Sequence, residues 1–363
     1  MIPYGRQQVD PADIAAVEKV LRSDWLTSGP AVADFEEALA QYVGAKYAVT
    51  FSSATAGLHA ACAVAGLGPD NTVHTSPLTF IASANCARYV GAQPALIDID
   101  PDTFNIDVGK IDSSIDAVIP VHYGGLPVEL SSMVTRPRIV IEDASHALGA
   151  RSTTEKVGAT THGDMCVFSF HPVKPITTAE GGAVTTNDSD LAQALREFRS
   201  HGIVRGTDPL SWKYDAATVG YNYRMTDIQA ALGLSQLGKL DRFIGERNEI
   251  AARYREGLAD LPLQLPPAAA EGALHGYHLF AIRVNQRAEV FAELRRRGIG
   301  VQVHYVPVHH HSVSKDIDIP PGGFPHTEAV YGGLISIPTF PGLTVDEQKT
   351  VMSTLKEVLE LHA

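Results

Sequence analysis

Lys174 stands alone as a charged residue between Asp164 and Glu180, in the run Met165-Cys-Val-Phe-Ser-Phe-His-Pro-Val-Lys-Pro-Ile-Thr-Thr-Ala179. The apolar residues before it read as a buried strand, which His171-Pro172 breaks. Burial disfavours the ammonium form, so a lysine held just beyond such a strand has reason to lose its proton. A neutral amine near pH 7 is what Schiff-base formation with a carbonyl requires. Most lysines instead carry their charge out to water along a flexible stem. Lys174 therefore acquires chemical meaning only in company.

Three other segments supply that company. Ser52-Ser-Ala-Thr-Ala-Gly-Leu58 runs from an expected strand straight into an expected helix. A helix N-terminus offers unpaired N–H groups and the positive end of a dipole, so Ala54, Thr55 and their amides are candidates for a phosphate. The bland reading is that a hydroxyl here only caps the helix. Glu142-Asp143-Ala-Ser-His146 follows a second strand. Successive strand residues face opposite sides, so one of the two acids is expected to face a ligand, with His146 within reach of the same one. Such a carboxylate could hold a protonated heterocyclic nitrogen, or it could merely cap a helix. Phe80, beyond a third strand, could stack on a planar ring or fill core. Lysine, anion site, carboxylate and aromatic together match the needs of pyridoxal phosphate.

These residues need a scaffold, and the chain has the means to build one. It has 363 residues, of which 45% are hydrophobic, enough for about two domains with a sizeable core. A formal net charge of -12 argues against a dedicated nucleic-acid binder. No apolar run approaches a membrane span, and the first residues lack the pattern of a secretory signal. The three cysteines have no metal-ligand spacing and read as buried thiols of a cytoplasmic protein. His309, His310 and His311 do not change this, because adjacent histidines do not easily converge on one ion; a surface loop and no metal are expected.

Two amphipathic helices open the chain, near Pro11–Arg22 and Val32–Val43. Strand patterns at Tyr47–Phe51, Thr72–Thr75, Pro94–Ile99, Ala117–Val121, Arg138–Ile141, Cys166–Phe170 and Ala183–Thr186 then alternate with helical ones. This alternation predicts an α/β domain over residues 1–240, with a mainly parallel sheet covered by helices. A smaller α+β domain is expected over 241–363. It starts with a long helix at Arg242–Leu258 and includes strands at His278–Val284 and Val301–Tyr305 and a helix from Val345.

In this order the motifs resemble the DegT family of fold-type-I, pyridoxal-phosphate-dependent nucleotide-sugar aminotransferases, and the likeness runs over essentially the whole chain. Ser52–Leu58, Glu142–Gly149, Phe168–Lys174 with Glu180-Gly-Gly, and Gly220-Tyr-Asn-Tyr-Arg-Met225 carry the resemblance. It implies that Lys174 holds the cofactor as a Schiff base and that Asp143 pairs with the pyridine nitrogen. Phe80 would stack on the ring, and His146 would lie near its phenolic oxygen. Thr55, Ser169 and the amide of Ala54 would contact the phosphate, while Asn222 would complete that site from a neighbouring subunit of a homodimer. Arg224 and His304 are weaker candidates for substrate contacts.

Within the family, Ile2–Gln7, Ile176-Thr-Thr, Ser200-His-Gly-Ile and Val303–Val308 resemble the pseudaminic-acid branch, the UDP-4-amino-4,6-dideoxy-N-acetyl-β-L-altrosamine transaminases. A 4-keto-6-deoxy nucleotide-sugar and a glutamate donor are implied. Ala54 and Ala179 replace residues that are usually glycine, and Pro175 follows the lysine directly, so the sugar is less firmly implied than the chemistry. Another GDP- or dTDP-linked ketosugar, or a non-catalytic pyridoxal-phosphate-binding regulator, are the competing readings. Dehydrating relatives carry histidine at the lysine position, which Lys174 argues against.

Overall fold

The computed structural model describes residues 1–206 and 212–362. Its centre is a seven-stranded sheet of β1 (Tyr47–Phe51), β2 (Thr72–Thr75), β3 (Gln93–Leu96), β4 (Ala117–Ile119), β5 (Ile139–Asp143), β6 (Met165–Ser169) and β7 (Gly182–Thr186), in the order β1-β7-β6-β5-β4-β2-β3. All neighbours pair in parallel except those of β7, which runs against both β1 and β6.

Helices α1 (Pro11–Leu21), α2 (Pro30–Val43), α3 (Ala54–Val64), α4 (Ala82–Tyr89), α5 (Ser189–Phe198), α6 (Asp227–Leu237) and α7 (Leu240–Gly257) accompany this sheet. Strand β6 explains why both faces are covered. Cys166, Phe168 and, just past its end, Phe170 pack with α2, α6 and the start of α7, whereas Met165 and Val167 pack with α3, α4 and α5. Apolar side chains alternate to two buried faces, so the strand reads as one continuous hydrophobic run.

A hairpin of β8 (Ile203–Arg205) and β9 (Tyr214–Ala216) projects beyond α5. A second sheet, β10 (Leu263–Gln264), β11 (Phe280–Val284) and β12 (Leu334–Ile337), is antiparallel. It packs with α8 (Arg287–Arg296) and α10 (Val345–Leu361), while α9 (Pro325–Gly333) precedes β12. Helix α7 serves two cores: Leu240, Phe243 and Ile244 enter the first, Ile250, Ala251 and Tyr254 the second. Arg247, between them, is fully buried and donates to the carbonyls of Tyr277 and Thr339 at 3.0 and 2.9 Å. No helix among the described residues is long and apolar enough to cross a membrane.

Two sequence expectations differ from the fold. Val301–Tyr305 is not a strand; Gln302 alone bridges to Ser336, and the chain turns away to present His304 and Tyr305. Helix α6 escaped the apolar-pattern reading although its start is explicit, because Thr226 and Gln229 form a reciprocal capping box.

The reversed strand β7 brings Gly182 against the start of α3. A Cβ there would lie 2.5 Å from the amide nitrogen of Ala54 and 2.6 Å from the carbonyl carbon of Ser53. At Gly57, in the first turns of α3, a Cβ would meet methyl groups of Val167 and Val184 at 3.2 Å and the Phe51 ring at 3.8 Å, all side-chain atoms. Gly182→Ala should therefore cost about 1–3 kcal/mol of overpacking, because backbone atoms cannot yield. Gly57→Ala should stay near neutral, since alanine's helix propensity offsets a mild squeeze by about 1 kcal/mol. Denaturation midpoints of the two variants check this ordering, and equal losses would contradict it.

Candidate active site

The sheet delivers its chemistry at the carboxyl ends of the parallel strands, where open α/β sheets bind ligands. A cavity of about 350 Å³ opens there. Lys174, Asp143, His146, Ser169, Phe80 and the α3 start (Ser53, Ala54, Thr55) all line it. Segments more than a hundred residues apart in sequence thus meet at one cavity.

Lys174 sits in the loop after β6, and its N–H donates to the carbonyl of His171 at 2.9 Å. Its side chain is half-buried, because it faces the cavity, yet the surrounding protein holds its pKa down to about 8. Burial is the larger influence, and the charge of Asp143 opposes it.

Asp143 ends β5 with its carboxylate fixed from two sides. The Ser83 hydroxyl donates to Oδ2 at 2.7 Å, and the amide and hydroxyl of Ser145 donate to Oδ1 at 3.1 and 2.6 Å. A carboxylate has about four lone-pair sites, so these three donors leave one acceptor position. An acceptor so oriented suits a protonated ring nitrogen. Glu142, one residue earlier, points to the opposite side and meets the His122 Nε2 at 3.0 Å inside the protein. The two acids thus separate as strand geometry requires.

At the α3 start the capping role falls to Ser53, which leaves the neighbouring amides as the candidates for a phosphate. The Ser53 hydroxyl caps the helix by accepting from Ala56 N at 3.1 Å. The amides of Ala54 and Thr55 belong to the first turn, where no intrahelical partner exists, and both residues line the cavity. Ser169 completes this end. Phe80 is 55% exposed and free to present its face, with the Tyr305 ring 5.7 Å away.

His146 is held in one tautomer. Gly124 N–H can only donate, and it does so to Nδ1 at 3.3 Å. The proton therefore lies on Nε2, which is 2.9 Å from the Tyr305 hydroxyl and donates to it. Burial, then the nearby Lys174 and His304, hold the His146 pKa well below its ordinary value. The Tyr305 oxygen accepts from His146, so its own O–H is available to a ligand in the cavity.

Tyr305 and His278 were not foreseen. Neither follows a strand of the main sheet, so the strand-end search passes over them; the signal for Tyr305 was its place beside His304 in Val303–Val308. His304 also lines the cavity, with Nδ1 2.8 Å from the Ser336 hydroxyl and a pKa lowered to about 3, by burial first and Lys174 second. Asn222 and Arg224 do not line their own chain's cavity; Asn222 is exposed and bridges to Ser200.

The profile of the DegT/DnrJ/EryC1/StrS aminotransferase family matches residues 7–356. The chain belongs to this family. It is 34% identical to the spore coat polysaccharide biosynthesis protein SpsC of Bacillus subtilis, over 99% of this chain and 97% of that protein. The fold matches the putative sugar aminotransferase Spr1654 of Streptococcus pneumoniae in its pyridoxamine-phosphate form, with TM-score 0.93, 28% identity and all of both chains covered. In its pyridoxal-phosphate form the TM-score is 0.91, with 100% of this chain and 99% of that chain covered. Helicobacter pylori PseC, an aminotransferase involved in the biosynthesis of pseudoaminic acid, matches with TM-score 0.89, 31% identity and 99% of each chain covered. The protein is thus a pyridoxal-phosphate-dependent sugar aminotransferase of fold type I, and the cavity residues fit that cofactor.

The lysine shift has a direct consequence. Below about pH 8 Lys174 is ammonium and inert to acylation; above it the amine is free. In cofactor-free protein, competitive acetylation of Lys174 followed by peptide mass spectrometry should rise around a midpoint of about 8, not the ordinary 10.5. Asp143 raises this pKa, so Asp143→Asn should move the midpoint lower still. A wild-type midpoint near that of surface lysines would refute the neutral-amine reading.

Proposed function

We propose that the protein converts a UDP-linked 4-keto-6-deoxy sugar to its 4-amino sugar with glutamate as donor, in a route to pseudaminic acid. The observation that carries the reaction class is the convergence of a pKa-depressed Lys174, a doubly anchored Asp143 and the α3 N-terminus on one cavity. The sugar rests on the resemblance of segments such as Val303–Val308 to the pseudaminic-acid branch and on the likeness to PseC.

Pyridoxal phosphate supplies, when bound, an electrophilic carbon and an electron-accepting ring. Lys174 would hold the group through that carbon. In the first half-reaction the unprotonated Lys174 Nζ would take the proton from the α-carbon of glutamate, as a general base, and pass it to the group's reacting carbon. In the second it would take a proton from there and deliver it to C4 of the sugar, the carbon that receives the amino group. Asp143 keeps the ring nitrogen protonated, and Ser83 and Ser145 keep Asp143 oriented toward it. Ala54 and Thr55 amides, the Thr55 hydroxyl and Ser169 hold the phosphate, and Phe80 covers the ring. The Tyr305 O–H, oriented by His146, is placed to donate to a sugar oxygen, with His304 beside it.

We assign Asn222 to the phosphate site of a second copy and Arg224 to its substrate, in a homodimer. Their position outside their own cavity supports this, as do exposed aromatics nearby, including Tyr89 and Tyr221.

The test follows two half-reactions. Cofactor-saturated protein mixed with glutamate should lose the visible absorption of the bound aldehyde form and release 2-oxoglutarate, and Lys174→Ala should do neither. The glutamate-treated protein, freed of donor, should then aminate a UDP-4-keto-6-deoxy sugar by mass spectrometry, at a rate at least tenfold above the dTDP- and GDP-linked counterparts. Equal or faster turnover of those counterparts would overturn the nucleotide assignment and leave the aminotransferase chemistry standing.

A further inference from the structure

A cluster outside the catalytic cavity has a different chemistry. His309 and His310 lie on a short 3-10 turn, Val308–His310, just beyond Tyr305. Contrary to the sequence expectation, these adjacent rings do converge. The Nε2 atoms of His309 and His310 lie 2.7 and 2.8 Å from the same oxygen, Oε1 of Glu328 on α9. The three ligand atoms all fall within 4.8 Å of one another. We propose that His309, His310 and Glu328 bind a divalent transition-metal ion, Zn²⁺ by donor type, which staples the loop after Tyr305 to α9.

The rings now share the Glu328 oxygen at hydrogen-bond distance, and a small opening would admit an ion. Metal–nitrogen and metal–oxygen bonds of about 2.0–2.2 Å put two ligands of a tetrahedral Zn²⁺ about 3.3 Å apart. Each observed N–O separation need open by only about half an ångström to reach that spacing. Two imidazoles and a carboxylate are a donor set of borderline softness, which suits zinc over magnesium or calcium.

The rings are also held in place before any ion arrives. His309 packs on Phe324 with ring centres 4.9 Å apart, and His310 meets Tyr331 edge-on at 5.6 Å. Only 8% of the His309 side chain is exposed. His310 and Glu328 are 37% and 45% exposed, which gives the ion an approach from solvent and room for a water ligand.

Both anchors are firm. Asp98 accepts from the amides of His326 and Thr327, each at 3.0 Å, and from the Thr327 hydroxyl at 2.7 Å, fixing the start of α9. Val308 N–H donates to the Pro77 carbonyl at 2.9 Å, tying the histidine turn to the segment that carries Phe80. The His309 Nδ1 is enclosed and has no hydrogen-bond partner. Losing that outer support typically costs tenfold to a hundredfold in affinity, so micromolar rather than nanomolar binding is expected.

The test is a Zn²⁺ titration by calorimetry of the cofactor-loaded protein, freed of excess cofactor and prior metal. A parallel Co²⁺ titration reads the visible absorption of a four-coordinate ion. One ion per chain is expected. His309→Ala, His310→Ala and Glu328→Gln should each weaken binding at least tenfold, whereas His311→Ala should leave it unchanged. Zn²⁺ should raise the melting temperature of the wild type but not of Glu328→Gln. His309 is largely buried, so the exposed Glu328→Gln variant decides the matter if His309→Ala does not fold. Absence of stoichiometric binding, wild-type affinity in Glu328→Gln, or equal weakening by His311→Ala would overturn the proposal. The last result would mean a flexible histidine run rather than a built site.

Discussion

An amine must be able to lose its proton near physiological pH although a carboxylate stands close by, and much of the structure can be read as the answer to that demand. Burial pushes the Lys174 pKa down and the charge of Asp143 pushes it back, with the outcome at about 8. Relative to a solvated lysine, the net shift from 10.5 weakens the ammonium form by on the order of 3 kcal/mol. Weaker burial would leave an ordinary ammonium, and a closer carboxylate would form an ion pair. Ser83 and Ser145 hold Asp143 by three hydrogen bonds, which keeps its carboxylate from collapsing onto the lysine.

The imidazoles around the cavity obey the same constraint. His146, His278 and His304 each have their pKa lowered, mainly by burial and further by Lys174. Protonating any of them would add a like charge to the lysine's surroundings. Kept neutral, they act as oriented dipoles. The chain from Gly124 through His146 to Tyr305 is directional because the first donor is a backbone amide, whose role cannot reverse. The Tyr123 hydroxyl donates to the His304 carbonyl from the neighbouring turn, so one short segment fixes both His146 and the backbone that carries Tyr305.

How much of this was legible in the sequence depended on whether a residue's position follows from its own strand. Lys174, Asp143, Ala54 and Thr55 lie at or just beyond strand ends, where period-two burial and sheet direction dictate what a side chain faces. The separation of Glu142 from Asp143 was readable for the same reason. The expected strand at Val301–Tyr305 failed because its alternating pattern reports burial, not a pairing partner; only Gln302 finds one, in Ser336. Convergence of His309 and His310 was invisible because it depends on Glu328, eighteen residues away on a different helix. Nothing in local periodicity encodes that approach. The capping box of α6 was the opposite case, a local signal present at Thr226 and Gln229 and masked by the helix's nearly uniform apolar composition.

The two ends of the cavity differ in what they can tolerate. Around Asp143 and the α3 start, the acceptors are already mostly filled, and Gly182 leaves no space for even a methyl group against Ser53 and Ala54. A change there alters the electrostatics of the reacting atoms directly. Tyr4, His171, Glu180 and Tyr305 also line the cavity, from turns and connections outside the regular strands and helices. Such segments can change residue without shifting a strand register. The cavity lining thus combines residues fixed at strand ends with residues carried on loops. The first kind could be argued from periodicity and sheet direction, and the second kind could not.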